Sequence, residues 1–575
     1  IFTVDQNGVI TAVGAGSATL TIKSKIVETL SKEQTITVHP EDYVFSLSEI
    51  VVSNNYVDKE SIYHRYKVFV VGKNAFTKLE DALAAAPEDT TIYVLDGTYP
   101  DSATVTKNNV TIRGDGGVIT GTINVKTGVS GLIINDLKFT NAGQVLIDIK
   151  GGVSDFTFKN NYVYDTTATV VNFKNDGTSA NNNFVISDNV FEIVNLKSFS
   201  GRYIRGGNVS GLTIVNNSFE GMVGQYTDAI RIEGTNDTNA AGIGAAGAVL
   251  IENNSFKDVG QRAIWFRRYS ATSIKILNNV FDFAGDQTYG GGIQLENWVS
   301  GQETAIEIKY NKLVNIEGSF GIRFNNTSLT GSETWQVNIN YNKFIDFIYP
   351  AKYDCYIQAY SDAAKGLINA DYNYFSVAPT AERMPFVGSY DHQFATEKEL
   401  DLAIALLAAD PTYGVLIHEE DMEQHGTIAY ADTAAELAGL NWNIKEVYSA
   451  NPGDASDKAS AEAGNERFLR LRGANVAYME TSDYIDGLTT LVFDAKYYSS
   501  NHTTSVMTVS KQVEGGEWTL VGTITLTASY EQQVVAINET GKVKIRIDVT
   551  KKTANIDNLK LYQSVELFTQ KFNQE

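Results

Sequence analysis

The sequence predicts an all-β protein built around a coil of short parallel strands. Two observations carry this prediction. The 575 residues include 30 Tyr, 27 Phe and 47 Gly but only 8 Pro, a balance that favours strands and turns over helices. In addition, a short motif with apolar residues on either side of a central Asp or Asn recurs along the middle of the chain. At roughly 100–200 residues per domain, the length predicts several modules.

The first forty residues predict short alternating strands. The segment IFTVDQNGVITAVGAGSATLTIKSK is broken by turn signals at Asn7-Gly8 and Gly14-Ala15-Gly16, and QTITVHP follows it. The pattern F-T-V-D-x-N-G-V-I-T-A-V-G-A-G-S-A-T-L-T-I resembles the second half of a bacterial group 2 Ig-like domain. The resemblance implies a partial Ig-like β-sandwich at 1–40, whose other strands would precede Ile1 or come from another chain. Residues 41–74 are expected to be a linker or a lead-in to the coil.

A helix is predicted immediately before the central repeat. In FTKLEDALAAAPEDTTIYVL, the residues Leu79, Ala82, Leu83 and Ala86 recur at helical spacing. Pro87 stops the helix, and a strand is expected at 91–95.

The central repeat aligns nine segments on one Asp or Asn. The column is Asp136, Asn161, Asn189, Asn217, Asn254, Asn279, Asn311, Asn342 and Asn373. The period predicts one rung per repeat, with the Asn in a left-handed turn and stacked in a hydrogen-bonded ladder. The repeat and the helix before it resemble the pectin-lyase-like right-handed parallel β-helix. That resemblance implies such a β-helix at 75–394, with the helix as its N-terminal cap.

The last third of the chain changes character. The helical segment ATEKELDLAIALLAAD predicts a capping helix and linker at 395–417. At least seven short alternating strands follow, which is typical of an antiparallel sandwich. The run EDMEQHG…FLRLRG…YMETSDYIDG resembles carbohydrate-binding jelly-roll modules of secreted bacterial proteins and implies a jelly-roll β-sandwich at 418–565, with a tail at 566–575. Trp442, Trp518 and Tyr497-Tyr498 are candidates there for a sugar platform or for core packing.

Charge and composition exclude several functional classes. With 46 Lys+Arg against 68 Asp+Glu, the formal net charge of −22 opposes nucleic-acid binding. No apolar run is long enough for a transmembrane helix. The single cysteine, Cys355, excludes an internal disulfide framework. None of the six histidines lies in a rung, which excludes histidine-based acid–base or metal chemistry on the faces of the coil.

Outward positions of one strand in each rung are the candidate functional residues, because inward positions fill the core. The strand centres align as VLIDIKG, TVVNFKN, RYIRGGN, DAIRIEG, RAIWFRR, GGIQLEN, FGIRFNN and CYIQAY. The first outward column is Asp148, Asn172, Arg205, Arg231, Trp265, Gln294, Arg323 and Gln358. The second column is Lys150, Lys174, Gly207, Glu233, Arg267, Glu296, Asn325 and Tyr360.

These columns place several basic side chains on one face of an acidic protein. Guanidinium groups bind planar anions through paired hydrogen bonds, and aromatic rings offer stacking surfaces for sugars. The candidate substrate-binding residues are therefore Lys150, Lys174, Arg205, Tyr226, Arg231, Glu233, Trp265, Arg267, Gln294, Glu296, Arg323 and Tyr360. The alternative is that pairs such as Arg231–Glu233 and Arg267–Glu296 only solubilise an exposed sheet.

Catalysis on this face is weighed against binding. The segment AIWFRRYSATSIKILNNVF followed by GGIQLEN resembles the chondroitinase B and alginate lyase family. On that resemblance Arg267 takes the place of the family's catalytic Arg, with Arg231 as the second candidate. The family's basic lysine, the histidine after the Arg, and the Arg of its Gly-Gly-Ile-Arg motif are absent, the last replaced by Gln294. Hydrolysis instead needs paired carboxylates, for which the candidates are Asp228, Glu233, Asp286 and Glu296.

The sequence therefore predicts a secreted or cell-surface modular bacterial protein, of the adhesin or surface-layer type, that engages an extracellular polysaccharide or has a structural role. The first alternative is an anionic polysaccharide lyase that acts on a uronic-acid polymer. The second is a self-assembling surface layer or filament subunit, because a partial sandwich leaves an open edge for neighbouring copies or other surface proteins. A structural calcium held by Asp454, Asp457 or Asp557 is the one cofactor considered.

Overall fold

The chain forms two compact units, Ile1–Phe394 and Ala395–Glu575, in a computed structural model. The structure describes residues 2–5, 10–23, 31–38, 46–56, 59–65, 67–141, 143–174, 179–193, 201–221, 228–233, 245–282, 290–296, 304–316, 320–325, 336–346, 355–359, 366–385, 387–420, 428–437, 440–449, 468–473 and 477–574.

The first unit begins with two antiparallel strand pairs. β1 (Phe2–Val4) pairs with β2 (Ile10–Ala12), and β3 (Gly16–Lys23) pairs with β4 (Ser31–Val38). These pairs match the alternating strands expected here. The Ig-like assignment of this segment stays a prediction.

A lead-in and a short helix open the coil. The elements are β5 (Glu49–Val52), a 3₁₀ turn (Asn54–Tyr56), β6 (Ser61–His64), β7 (Lys67–Val70), β8 (Ala75–Phe76), α1 (Leu79–Ala85) and β9 (Thr91–Tyr99). β5 pairs in parallel with β9, so the lead-in is part of the coil. The predicted helix is present as α1, and it buries Leu79, Ala82 and Leu83 in the core of the coil.

Thirty further strands complete the coil. They are β10 (Ala103–Val105), β11 (Thr111–Ile119), β12 (Ile123–Val125), β13 (Ile133–Asn135), β14 (Lys138–Phe139), β15 (Ile147–Ile149), β16 (Ser154–Lys159), β17 (Tyr162–Tyr164), β18 (Val171–Lys174), β19 (Asn181–Ser187), β20 (Val190–Ile193), β21 (Ile204–Gly207), β22 (Val209–Val215), β23 (Ser218–Gly221), β24 (Asp228–Glu233), β25 (Ala245–Glu252), β26 (Ser255–Lys257), β27 (Arg262–Arg267), β28 (Ser270–Leu277), β29 (Val280–Asp282), β30 (Gly291–Glu296), β31 (Ala305–Lys309), β32 (Lys312–Val314), β33 (Phe320–Asn325), β34 (Val337–Asn340), β35 (Lys343–Ile345), β36 (Cys355–Ala359), β37 (Ile368–Asn369), β38 (Asn373–Phe375) and β39 (Gln393–Phe394).

Each rung adds parallel strands to the stack, which confirms the parallel β-helix. One sheet, called sheet A below, contains ten strands in the order β10-β12-β15-β18-β21-β24-β27-β30-β33-β36. Inside the coil, aliphatic and aromatic side chains stack from rung to rung. The rings of Phe219, Phe256 and Phe281 lie 4.9 Å apart between successive centroids. The core therefore forms by repetition, as the period predicts.

The buried asparagine ladder is present, with one correction. The side-chain oxygen of each ladder Asn accepts hydrogen bonds from the backbone N–H and the side chain of the Asn one rung earlier. Asn217, for example, donates to Asn254 Oδ1 from its N–H at 2.9 Å and from Nδ2 at 3.0 Å. The ladder runs from Asn161 to Asn373. The left-handed residue is the one before each ladder Asn, for example Asn253 with φ 55°. Asp136, aligned with the ladder, is one of these left-handed residues (φ 59°), and Leu137 occupies the ladder position.

The second unit is an antiparallel β-sandwich with two helices. Its elements are α2 (Glu397–Leu407), β40 (Val415–Glu420), β41 (Ile428–Leu437), β42 (Leu440–Ser449), β43 (Leu469–Arg472), β44 (Ala477–Thr481), β45 (Ile485–Tyr497), β46 (Val506–Val513), β47 (Trp518–Thr525), β48 (Glu531–Lys551), β49 (Thr553–Gln563) and α3 (Val565–Gln574), with a 3₁₀ turn at Ser500–His502.

Two features of this unit differ in detail from expectation. Short strands were expected, but β48 is 21 residues long; it pairs with β45 along its first half and with β44 and β46 along its second half. The expected tail at 566–575 forms most of α3, because Leu567 is buried and Lys571 pairs with Asp486 at 2.7 Å. Among the described residues, none of the helices has the length and apolar character needed to cross a membrane.

Candidate functional site

The strand pairings of sheet A confirm the register of the two outward columns. Asn172, Arg205, Arg231 and Trp265 are successive partners in the first column. Gln294, Arg323 and Gln358 continue it. In the second column Glu233, Arg267, Glu296 and Asn325 follow one another. The alternation of inward and outward residues is therefore sufficient to place these side chains on one face.

A third column completes the face, and the sequence alignment missed it. Arg202, Asp228 and Arg262 each lie three residues before a member of the first column. Strict alternation would turn Asp228 and Arg262 inward, but the inward positions here are taken by Ala229 and Ala263, which are buried in the core. The sequence signal for this column is a charged residue three positions before the first column in each of three successive rungs.

Asp228 lies at the centre of this third column. Its Oδ1 accepts a hydrogen bond from Arg262 Nη1 at 3.0 Å. Its Oδ2 lies 3.6 Å from Arg231 Nη1 and 3.7 Å from Arg202 Nε. Asp228 is 0 % exposed, and Oδ2 accepts no hydrogen bond from the described residues. One buried carboxylate thus lies within ion-pair distance of three guanidinium groups.

Glu233 joins two rungs in the same way. Its Oε1 accepts from Arg205 Nε and Nη2 at 3.2 and 3.0 Å. Its Oε2 accepts from Arg231 Nε at 2.8 Å, and Arg231 Nη2 lies 2.6 Å away. The predicted Arg231–Glu233 pair is present, and each carboxylate oxygen receives a guanidinium edge from a different strand.

Trp265 lies among arginines instead of being exposed. The guanidinium carbons of Arg231 and Arg262 lie 4.1 and 4.2 Å from its ring centroid. Its Nε1 donates to Glu296 Oε2 at 3.0 Å. Trp265 is 8 % exposed, so the exposed stacking surface expected for it is wrong. Stacked guanidinium groups cover this ring because a parallel register brings neighbouring rungs into contact.

Glu296 lies on β30, one rung beyond Trp265, and is the last residue of this network of ion pairs. Its Oε2 also accepts from Gln294 Nε2 at 2.9 Å, and Arg267 Nε lies 3.6 Å from Oε1. The predicted Arg267–Glu296 pair is thus present. Gln294 in turn accepts from Arg262 Nε at 2.8 Å, which connects Glu296 to the third column.

The remaining predicted residues lie at the ends of the face or outside the described residues. Arg323 donates to Gln358 Oε1 at 2.7 Å, and Lys150 pairs with Asp148 at 2.8 Å. Lys174 ends strand β18, but its side chain lies outside the described part of the chain. Tyr226, Tyr360 and Asp286 also lie outside it.

We call the set Arg202, Arg205, Asp228, Arg231, Glu233, Arg262, Trp265, Arg267, Gln294 and Glu296 the arginine face. It contains five arginines and three carboxylates, so positive charge is in excess. Burial raises the pKa of Asp228, although Arg262, Arg231 and Arg202 act in the opposite direction. Burial also lowers the pKa of Arg202, to which nearby Arg231 contributes. Both shifts reflect the cost of placing charges out of water.

The geometry favours ion pairing over acid–base chemistry. The paired carboxylates expected from the sequence, Asp228 and Glu233, are both buried and both occupied by arginines. No lysine, histidine or tyrosine lies on the described strands β24, β27 and β30, which carry Arg231, Arg267 and Gln294. What the arginine face offers is a fixed array of guanidinium N–H donors.

The other sites considered from the sequence give a mixed outcome. Trp442 is 0 % exposed in the core of the second unit, so a sugar platform there is wrong for this residue. Tyr498 is partly exposed, with Arg470 over its ring at 3.9 Å. Among the described residues, no group of three or more side chains is arranged to hold a metal ion. Asp454 and Asp457 lie outside those residues.

No protein-family model and no curated protein matches the sequence. Among solved structures, 96% of the chain is similar, at 10% identity, to 75% of the enzymatically active domain of tailspike protein 4 from bacteriophage CBA120, with a TM-score of 0.21. A segment of 26% of the chain is similar, at 13% identity, to 99% of the K1 Cleaved Adhesin domain of Lys-gingipain from Porphyromonas gingivalis W83, with a TM-score of 0.20.

A third similarity, over 21% of the chain at 14% identity, covers 88% of TmCBM61, a structure in complex with β-1,4-galactotriose, with a TM-score of 0.17. These TM-scores are too low to identify a relative. The fold assignment therefore rests on the strand pairing of the chain itself.

Proposed function

We propose that this chain is an extracellular glycan-engaging protein whose β-helix binds an anionic polysaccharide through the arginine face. One observation carries the proposal: in a protein of net charge −22, five arginines and three carboxylates share a single face of sheet A. A local excess of positive charge on an acidic protein attracts anionic ligands.

The carboxylates prepare the arginines for binding. Asp228 and Glu233 fix the guanidinium groups of neighbouring rungs, so less side-chain entropy is lost when a ligand arrives. Each guanidinium has five N–H donors, and the contacts to the carboxylates use only part of that set. The unused donors suit the carboxylate or sulfate groups of a polysaccharide.

The accessible edge of the face identifies its first contacts. The Arg205 side chain is 34 % exposed, more than those of Arg231 and Arg267 at 18 and 19 %. Lys150 lies further along the second column and is 56 % exposed. We therefore expect Arg205 to contact the ligand directly and the more buried arginines to set the local potential.

Binding without turnover is preferred to a lyase. A lyase needs a base beside the arginine that neutralises the uronate. The described strands around Arg231 and Arg267 supply only arginine, carboxylate, amide and indole groups, and both arginines are paired with carboxylates. Arg267 and Arg231 are therefore proposed as binding residues, and catalysis by them is an outcome for experiment.

The proposed ligand also indicates where the protein acts. Anionic polysaccharides occur outside cells, so we place the protein in the secreted or surface-displayed class. Assembly into a layer through the N-terminal strands is the second possibility for its surface role, since an unpaired strand edge invites pairing with another copy.

The test is incubation of the full chain with alginate, pectate, chondroitin and heparin-like polymers, with and without calcium. Retention on each immobilised polymer and absorbance of unsaturated uronate are recorded together. Retention on at least one polymer without absorbance supports the proposal. Absorbance that disappears in Arg267→Ala makes the protein a lyase. The absence of both retention and absorbance would instead indicate a structural surface role.

A further inference from the structure

A second polar cleft lies between the lead-in and the first strands of the β-helix, separate from the arginine face. It has a volume of about 490 Å³ and is lined by residues of the 3₁₀ turn, of β6 and of the facing edges of β9 and β11. Cavities of this size are typical of small-molecule sites.

An irregularity in strand pairing shapes one wall. The register of β9 and β11 shifts at Asp115, Gly116 and Gly117. Gly116 has φ 92°, a conformation that glycine adopts most readily. Such bulges redirect side chains. Here the exposed carboxylates of Asp96 and Asp115 line the cleft.

Two buried polar atoms in the cleft have unmet hydrogen bonds. Ser53 is 0 % exposed; its Oγ makes no hydrogen bond of ordinary geometry with the described residues, although it interacts with the Tyr99 side chain. His64 Nε2 is also buried; it lies 3.4 Å from Asp115 Oδ2 but makes no hydrogen bond within the described part of the chain. An unmet buried hydrogen bond costs about 1–3 kcal/mol. Both residues line the cleft, so a molecule bound there would lie next to these two polar groups.

The charges of the cleft select against anions, and one of its two carboxylates is already paired with an arginine. Asp96 and Asp115 repel an anionic group. Arg65, 3.6 Å from Asp115, opposes a cation at that carboxylate. Burial lowers the pKa of His64, which favours the neutral form of its ring. The cleft thus combines strong acceptors with a neutral imidazole and a hydroxyl.

Aromatic rings complete the lining. Tyr56 and Tyr63 both line the cleft, and Tyr63 is 60 % exposed. This exposed ring is accessible to a molecule bound in the cleft. Phenol rings provide an apolar face with a polar tip, which suits a ring that has C–H groups on one side and hydroxyls at its edge.

We propose that this cleft is a second saccharide site, one that binds an uncharged, hydroxyl-rich sugar ring. The carboxylates of Asp96 and Asp115 accept from sugar hydroxyls, the Ser53 and His64 atoms complete the hydrogen bonds, and Tyr63 packs against the ring. Its ligand class differs from the anionic polymer proposed for the arginine face.

The test is titration of the full chain with the methyl glycosides of galactose, glucose, mannose and N-acetylglucosamine, followed by saturation-transfer NMR and calorimetry. At least one glycoside is expected to bind saturably. Because Asp96→Asn removes the negative charge that strengthens the hydrogen bonds from the sugar hydroxyls, it is expected to weaken that binding by about tenfold. Tyr63→Ala is expected to weaken it as well.

Matched controls separate this site from folding effects and from the arginine face. Tyr162 is another partly exposed tyrosine of the coil, so Tyr162→Ala is expected to retain full affinity. Arg205→Ala is also expected to bind the glycoside normally. Circular dichroism of each variant confirms that it is folded. Failure of all four glycosides to bind, or full affinity in both Asp96→Asn and Tyr63→Ala, overturns the proposal.

Discussion

Asp228 and Arg262 form an ion pair in neighbouring rungs, with Nη1 donating to Oδ1 at 3.0 Å in a site almost closed to solvent. This contact links strands β24 and β27, and through Gln294 it reaches β30. The arginine face is therefore a connected network across three rungs, and its properties follow from a carboxylate that neither outward column contains.

Replacing Asp228 is expected to destabilise the β-helix. Asp228→Asn keeps the shape of the side chain but leaves Arg202, Arg231 and Arg262 without their shared counter-charge. Breaking a buried ion pair from one side costs about 3–5 kcal/mol, so calorimetry is expected to record a clearly lower Tm. The control is Asp136→Asn, which removes a partly exposed carboxylate that pairs with Arg113 at 3.1 Å. Equal Tm values for the two variants would contradict the role given to Asp228.

The asparagine ladder gives a second prediction about stability. Asn254 donates from Nδ2 to Asn279 Oδ1 and to the carbonyl oxygen of Ile214, both at 2.9 Å, and it is buried. Asn254→Ala removes these bonds and leaves buried groups unpaired, at about 1–3 kcal/mol for each group.

The neighbouring residue is the matched control for that variant. Asn253 has φ 55° but lies before the ladder position, so Asn253→Ala loses only a left-handed preference, about 1–2 kcal/mol. Thermal unfolding is expected to rank Asn254→Ala well below Asn253→Ala. The reverse order would show that the amide ladder contributes little.

A column of tyrosines gives a third prediction. Six rungs place Asp or Asn at the left-handed position, whereas the last three place Tyr310, Tyr341 and Tyr372 there, with φ 61°, 59° and 61°. Their rings stack with centroids 5.7 and 5.8 Å apart. Bulky residues rarely adopt this conformation, so stacking offsets a backbone cost.

Two substitutions at Tyr341 separate stacking from backbone strain. Tyr341→Ala loses the ring contacts with Tyr310, Tyr372 and Phe394, each about 0.5–1.5 kcal/mol. Tyr341→Asn loses the same contacts but restores a residue that tolerates the conformation. We therefore expect Tm to fall in both variants and to fall less for Tyr341→Asn. A Tyr341→Asn variant less stable than Tyr341→Ala would refute the strain argument.

The pH dependence of stability gives a fourth prediction. Burial lowers the pKa of His64 below its ordinary value of 6.5, against an opposing effect of Asp115. The unfolded chain then binds this proton more readily than the folded chain. The contribution of His64 to stability is present above its unfolded pKa and is lost as the pH falls below it. Compared with the wild type, His64→Gln is expected to show a smaller decrease in Tm between neutral and mildly acidic pH. A variant profile parallel to that of the wild type would contradict this assignment.

The sequence predicted the parts of the fold that repeat. The rung period, the capping helix α1 and both outward columns follow from regular alternation, and the register of Arg231 with Trp265 was correct. Where the backbone departs from alternation the prediction failed. Asp228 and Arg262 precede a local shift that buries Ala229 and Ala263, and Asp136 was placed one residue away from the ladder.

The burial of Trp265 could not be predicted from the sequence either. A single strand makes Trp265 an outward residue, and outward residues are usually exposed. Its coverage depends on guanidinium groups from its own strand and from the preceding rung, Arg262 and Arg231. Such contacts between side chains of stacked rungs are decided by rotamers, which a one-dimensional pattern does not contain.

The measurement that tests the central claim most directly is the affinity of the wild type and of Arg205→Ala for the anionic polymer that retains the protein best, at low and at high salt. Lys275→Ala is the control. It also removes one positive charge, but Lys275 lies half-exposed on β28, outside sheet A. We predict weaker binding at high salt for the wild type, and a loss of about tenfold or more for Arg205→Ala, as for one hydrogen bond to a charged group. Equal affinities for Arg205→Ala, Lys275→Ala and the wild type would contradict the assignment of the arginine face.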